Sequence, residues 1–447
     1  MTQAIVNPMK QIASLEAPTY RNTTKVFSLA GVEGTPEVEG TLWDATKVAL
    51  AGRLNLGLYG GAGMGKSQLL ADVQSLFGNN ASYVLGRNDL DIKALFRQLN
   101  FRGLKEAMDT GGEVSQADLT NITNAVYKPL VVVEEITRAV EMVQNQLFNV
   151  FEGFIEIDGH KYSLGGTELQ SFRDLDGKEW SQNVRYSVGV WSANYGNGQF
   201  TGTVSMDRAM KERSHVIVDV DNFSPQSSDL DRILLGSGGE IRLKEQEAAE
   251  DRTADFVAAF QYMKQKAHTP SPKELGTELL LFRYLVHGLD YLPCEAAGNS
   301  KRLMKDVWPS KAEEDNIGND DNEKLLYRMV FPASVRGAMT IMTLARTLRE
   351  YVRAKDPKAK PTVLDSVAES FKLVAAYSGM LENPQRVREN YVGNPYRAAV
   401  DVGNILKTRL TEKKHLMDAI THCKLEDKPL TREIINECKD GEYACFL

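Results

Sequence analysis

Residues 57–73, GLYGGAGMGKSQLLADV, place five glycines within nine residues, directly ahead of a lysine, a serine and a run with helical spacing. Glycine loses more backbone freedom on folding than any other residue, so such a cluster needs a task. Gly60, Gly65, Lys66 and Ser67 stand at the fixed positions of G-x-x-x-x-G-K-[ST]. The motif lies between an apolar run that reads as a strand (54–60) and a helix that Gly78 closes. Gly61, Ala62, Gly63 and Met64 fill the loop, and Gln68 follows it. A phosphate chain is large and multiply charged. Wrapping backbone N–H groups around it takes positive φ angles and no side chains in the way, and the helix starting near Lys66 turns its positive end toward the same anion. Lys66 is placed to reach the β- and γ-phosphates, and the Ser67 hydroxyl to ligate Mg2+. The loop is a cradle for a nucleotide phosphate.

Such a cradle needs a carboxylate partner for the metal. The run KPLVVVEEI, apolar enough to be a strand buried on both faces, ends in Glu134 and Glu135. Two adjacent carboxylates at a strand end repel each other unless a metal or a proton-transfer task employs them. Glu134 is placed to hold Mg2+, and Glu135 to orient or deprotonate an attacking water. Asn194 ends the strand in VGVWSAN, where its amide can contact the γ-phosphate and hold that water.

These motifs sit in a chain of 447 residues, long enough for two or three domains. Runs at 81–87 and 214–221 supply further strands, and 141–153 reads as a helix, so strands and helices alternate as in a parallel α/β sheet. FIEIDGHKYSLGG alternates with period two around Asp-Gly, a hairpin signal. From Phe223 the chain turns mostly helical, interrupted by a charged loop at 309–324 and a break at 354–362. The boundaries that follow are an N-terminal tail (1–25), an α/β nucleotide-binding domain (26–222) with its hairpin insert near 154–166, a helical lid (223–356) and a helical C-terminal extension (357–447). A net charge of −7 speaks against nonspecific nucleic-acid or anionic-membrane binding. No apolar run approaches the roughly 20 residues that span a bilayer, and the first residues lack a signal-peptide core, so a cytoplasmic protein is expected. The four cysteines match no zinc spacing and are expected as reduced thiols.

Taken in order, GGAGMGKSQ, VVVEEITRA, FIEIDGHKYSLG, WSANYG, MDRAMKERSHVIVDVD and PASVRGAM resemble the AAA+ ATPases, and within them the MoxR branch, whose relatives include the CbbQ/NorQ and gas-vesicle GvpN proteins. The likeness spans roughly residues 40–220 and a patch around Arg336. Many P-loop proteins share the first two motifs; the order and the hairpin point to this branch. The resemblance implies an α/β P-loop NTPase (AAA+) core, a parallel sheet flanked by helices, followed by an all-α lid and a helical C-terminal extension. It makes Asn194 the first sensor residue. It makes Arg213, with Arg208 as rival, the arginine finger that reaches the γ-phosphate of a neighbouring subunit. Arg336, ahead of Arg346, becomes the sensor that reaches back from the lid to the same nucleotide. A guanidinium suits both tasks because it stays charged and binds phosphate oxygens through a fork.

The sequence departs from the family pattern at three of these places: Glu134 stands where Asp is usual, Thr137 where Asn is usual, and Ser214 where Phe follows the finger. A polar stretch, GTELQSFRDLDGKEWSQN, follows the hairpin. The resemblance further implies ATP and Mg2+ as ligands, a homo-oligomeric ring, hexameric, and a remodelling role on a protein client. That role is the maturation or assembly of a complex with a von Willebrand A domain partner, the hairpin's Phe154, His160 and Tyr162 touching the client. Two other readings stand beside it: a nucleotide-gated DNA-handling motor, and an assembly scaffold that binds ATP and turns it over slowly.

Overall fold

The computed structural model describes residues 7–102, 105, 109, 120–173, 179–194, 206, 208–237, 250–268, 271–294, 299–302, 333–381, 384–438 and 442–447. Five strands form a wholly parallel sheet: β1 (Leu56–Gly60), β2 (Ala81–Leu85), β3 (Leu130–Glu134), β4 (Val188–Asn194) and β5 (Val216–Asp219). Their order is β5-β1-β4-β3-β2. The connection leaving β1 crosses to β2 on one side, and that leaving β4 crosses to β5 on the other. The crevice outside the carboxyl ends of β1 and β4 is therefore the place where such a sheet binds ligands.

The strands form because their residues suit burial on both faces. Leu130 and Val132 join one core with Leu56, Leu58, Val188, Val190, Val216 and Val218, while Val131 and Val133 join a second core with Trp191, Ala193 and Ile217. Alternate side chains of a strand point to opposite faces, which accounts for the division. Among the helices are α1 (Pro8–Ser14), α2 (Leu42–Ala51), α3 (Lys66–Phe77), α4 (Glu141–Phe151), α5 (Arg208–Arg213), α6 (Ser227–Ser237), α7 (Thr253–His268), α8 (Pro272–His287), α9 (Val335–Lys355), α10 (Val363–Ala375), α11 (Pro395–Glu412) and α12 (Lys414–Leu425). Helix α4 covers the second core; α1, α2, α3 and α7 to α12 share the first. Among the described residues no helix is long and apolar enough to cross a membrane.

Three features depart from the pattern read in the sequence. Residues 8–24 carry α1, whose Met9 and Ile12 are fully buried, and a segment tied to α3. The polar stretch after the hairpin forms its own antiparallel pair, Thr167–Arg173 with Glu179–Arg185, so β4 begins only at Val188. The first core runs on through α10, α11 and α12 without a break at residue 357. The charged loop at 309–324 lies outside the described residues.

Candidate functional site

The glycine-rich loop joins β1 to α3. Gly63 and Gly65 both hold φ at 79°, left-handed geometry that side chains resist. A Cβ on Gly63 would meet nothing, so that glycine serves conformation rather than space. Gly57 is different: a Cβ there would run into the indole of Trp191 on β4, so this glycine lets two neighbouring strands pack. The Lys66 ammonium donates to the carbonyls of Gly60 (3.1 Å) and Gly61 (2.5 Å). Burial pulls its pKa down, while Asp221, Glu135 and Asp219 work to hold it up. The Gly61 amide donates to both carboxylate oxygens of Asp221 at 3.0 Å.

Sheet register assembles the remaining groups at this edge. Asn194 lies beside Gly60, so β1 and β4 end level, and Trp191 lies beside Val133, so β3 ends two residues short of them on the same edge. The Tyr83 phenol on β2 donates to Glu134 at 2.5 Å; burial, reinforced by that carboxylate, raises the phenol's pKa. Glu135 steps out of β3 with φ at 53°, a strained position for a side chain that large. Its N–H donates to Ser192 Oγ (3.2 Å), and its Oε2 accepts from Arg138 Nε at 2.7 Å. Gly86 permits this turn, since a Cβ there would strike the Glu135 carbonyl. The donor set fits the ligands read from the sequence: the Ser67 hydroxyl and Glu134 carboxylate are hard oxygen ligands of the kind Mg2+ takes, beside a left-handed amide loop and a lysine suited to phosphate.

The arginines lie at the other end of the sheet. Asn55, just before β1, donates through Nδ2 to the carbonyls of Phe151 (2.8 Å) and Arg213 (2.9 Å), and its amide N–H donates to His215 Nδ1 (3.0 Å). Five residues of strand separate Asn55 from Gly60, about 16 Å. Arg213 Nε (3.0 Å) and Arg336 Nη2 (2.9 Å) both reach Glu152 Oε1. Arg336 thus shares the place of Arg213, not that of Lys66. Arg346 pairs instead with the buried Glu278, which also holds Arg349. Of Arg208 the structure describes the backbone alone, as the first residue of α5. Ser214, standing where Phe is usual, is buried; it accepts from the Trp191 indole (2.9 Å) and donates to the Met210 carbonyl, which anchors the end of α5 to β4.

The hairpin Phe154–Ile157 with His160–Ser163 turns through Asp158 (φ 50°) and Gly159 (φ 78°). Of its three expected client contacts only His160 is exposed. Tyr162 packs partly against the second core, and Phe154 is half-buried beneath the Lys161 ammonium, 3.6 Å from its ring centre.

Several site residues escaped the sequence reading. Asp219 and Asp221 had a signal, since VIVDVDN ends a strand in carboxylates much as VVVEE does. Tyr83, Arg138 and Glu152 had none. Tyr20 packs its ring against Gly65 while Asp72 on α3 accepts from the N–H groups of Thr19 (2.8 Å) and Tyr20 (2.6 Å); burial pushes the Tyr20 phenol up to about 12. From the C-terminal region Tyr377 donates to Asp219 (2.9 Å) and meets Tyr59 edge-on.

Residues 55–156 match the family model for the AAA domain of the dynein-related subfamily. The match takes in the loop, Glu134, Glu135 and Glu152, and stops before Asn194, Arg213 and Arg336. Over these residues the chain carries an AAA domain. A crystal structure of a Cytophaga hutchinsonii protein, provisionally described as an ATPase, aligns with 78% of this chain and 88% of its own at 11% identity and a TM-score of 0.46. No curated protein matches the chain.

Proposed function

We propose that this protein hydrolyses ATP at a site completed by a second copy of itself, and that it is a MoxR-type remodelling ATPase working as a ring on a protein client. The observation that carries the reading is the separation just described. Lys66, Ser67, Glu134, Glu135 and Asn194 gather at one end of the sheet, while Arg213 and Arg336 meet at the other. Charge developing on the γ-phosphate needs cationic stabilisation, and an arginine supplied from outside is a recurrent solution. Two arginines about a strand's length from their own loop suit a neighbour's nucleotide. The loop amides and Lys66 would hold the triphosphate, Ser67 and Glu134 the Mg2+, which neutralises phosphate charge. Glu135 would take a proton from the water that Asn194 orients. A hexameric ring, a von Willebrand A partner and a metalloenzyme or complex as client are carried by family resemblance.

Mixing Lys66→Ala subunits with Arg213→Ala subunits tests the shared site. Each variant alone should be inactive, and the mixture should recover hydrolysis where an intact loop meets an intact arginine. A mixture as dead as its parents, from chains that light scattering shows as monomers under saturating ATP, would remove the reading.

One observation favours the slow-turnover scaffold as a second reading: Tyr83 engages Glu134, and Arg138 engages Glu135, so both carboxylates are already held. Nucleotide that stays with the protein through gel filtration, with less than one turnover in that time, would select this alternative.

A further inference from the structure

We propose that Glu152 is a relay: it holds Arg213 and Arg336 at rest, and its release, when a neighbour's phosphate takes them, loosens the root of the hairpin. The proposal rests on the shared-site reading above. Two guanidiniums converge on one carboxylate oxygen, Glu152 Oε1, at 3.0 and 2.9 Å. All three side chains are part-exposed, at 33% for Glu152, 27% for Arg213 and 41% for Arg336. Ion pairs that wet are weak, whereas a triphosphate offers several charged oxygens to each guanidinium fork. Arg336 also sits in the first turn of α9, where the helix end is positive and a cation is disfavoured without an anion close by. Ser334, the cap of that helix, binds Glu212 at the end of α5, which docks α9 beside Arg213. Arg213 is steered further by the Phe148 ring, 5.3 Å from its guanidinium, and by the Ala209 carbonyl. Phosphate arriving at this edge would meet both arginines together.

The position of Glu152 in the chain makes the exchange consequential. It caps the C-terminus of α4. Gly153 follows with φ at 85°, and the hairpin begins at Phe154. The returning strand closes on the same spot, because the Leu164 N–H donates to the Gly153 carbonyl at 2.7 Å. Both legs of the hairpin are therefore rooted at Glu152 and Gly153. Asn55 clamps the carbonyls of Phe151 and Arg213, which fixes the backbone on either side and leaves the side-chain exchange at Glu152 as the adjustable element.

The test is amide hydrogen exchange over residues 153–164 of the full-length chain in a Glu135→Gln background, with and without ATP. Exchange should rise at least threefold with ATP. Adding Glu152→Gln should give the fast exchange without nucleotide and abolish the response; Glu152→Asp, charged but shorter, should respond to an intermediate degree. If Glu152→Gln does not fold, Arg213→Gln with Arg336→Gln leaves Glu152 in place and must also erase the response. A Glu152→Gln hairpin that still answers ATP as its parent does overturns the relay. Recovery in the subunit-mixing experiment alongside a silent hairpin removes the relay alone, whereas failure of both removes the shared site with it.

Discussion

The two ends of β1 carry opposite chemistry on one strand. At Gly60 backbone amides, a lysine and carboxylates are packed around an open loop. At Asn55 a single amide side chain ties together the end of α4, the end of α5 and the start of β4, and presents two guanidiniums on a carboxylate. The first end can hold a nucleotide but lacks Arg213 and Arg336; the second has those two arginines and no loop. Under the proposed function the contrast makes the two ends complementary halves of one site facing away from each other, with assembly as the condition for chemistry.

Breaking the loop end should have the largest effect. Glu135→Gln is expected to cut phosphate release by about 10²–10⁴-fold while a nucleotide titration shows ATP still bound. Arg213→Ala should lower turnover by about 10³-fold with affinity little changed; a loss of only a few fold would mean that one chain suffices. Gly57→Ala, which drives a methyl into Trp191, should cost about 1–3 kcal/mol in denaturant unfolding and leave the loop's nucleotide affinity intact once folded. Tyr83→Phe removes the phenol from Glu134 and should change the Mg2+ concentration needed for half-maximal rate by about tenfold, as loss of a partner behind a metal ligand does.

The smallest effect belongs to pH at the arginine end. Burial first, then the nearby Arg336 and Arg53, hold the His215 imidazole down from 6.5 to about 4. Between those values the unfolded chain binds more proton than the folded one, so stability falls as pH drops from 6.5 toward 4 and is flat above 6.5. The loss by pH 5 should be about 1–2 kcal/mol, and His215→Gln should flatten that slope in thermal unfolding.

Much of the loop end was legible because its signals are local. Glycine spacing marks the cradle, continuous apolar runs mark β3 and β4, and paired carboxylates mark a strand end. Asp158-Gly159 likewise announced the hairpin through a turn that needs positive φ at both positions. The arginine end was legible only as residues. Nothing in the spacing around Arg336 says which end of a sheet α9 will dock against, since that depends on Ser334 meeting Glu212 across 122 positions of chain. Glu152 reads as an ordinary charged helix end. The strands Thr167–Arg173 and Glu179–Arg185 escaped notice because their residues are mainly polar and offer little apolar alternation. Phe154 and Tyr162 look like free aromatics in the sequence, yet a lysine neighbour and the second core claim part of each.

Tyr377 and Asn394 brace the tip of β5 from far along the chain, through Asp219 and Asn222. A ribosome making this protein must therefore release the chain past Asn394 before the phosphate edge gains these supports. A polypeptide stalled after α9 has made every motif that marks it as an ATPase, but not the struts behind them.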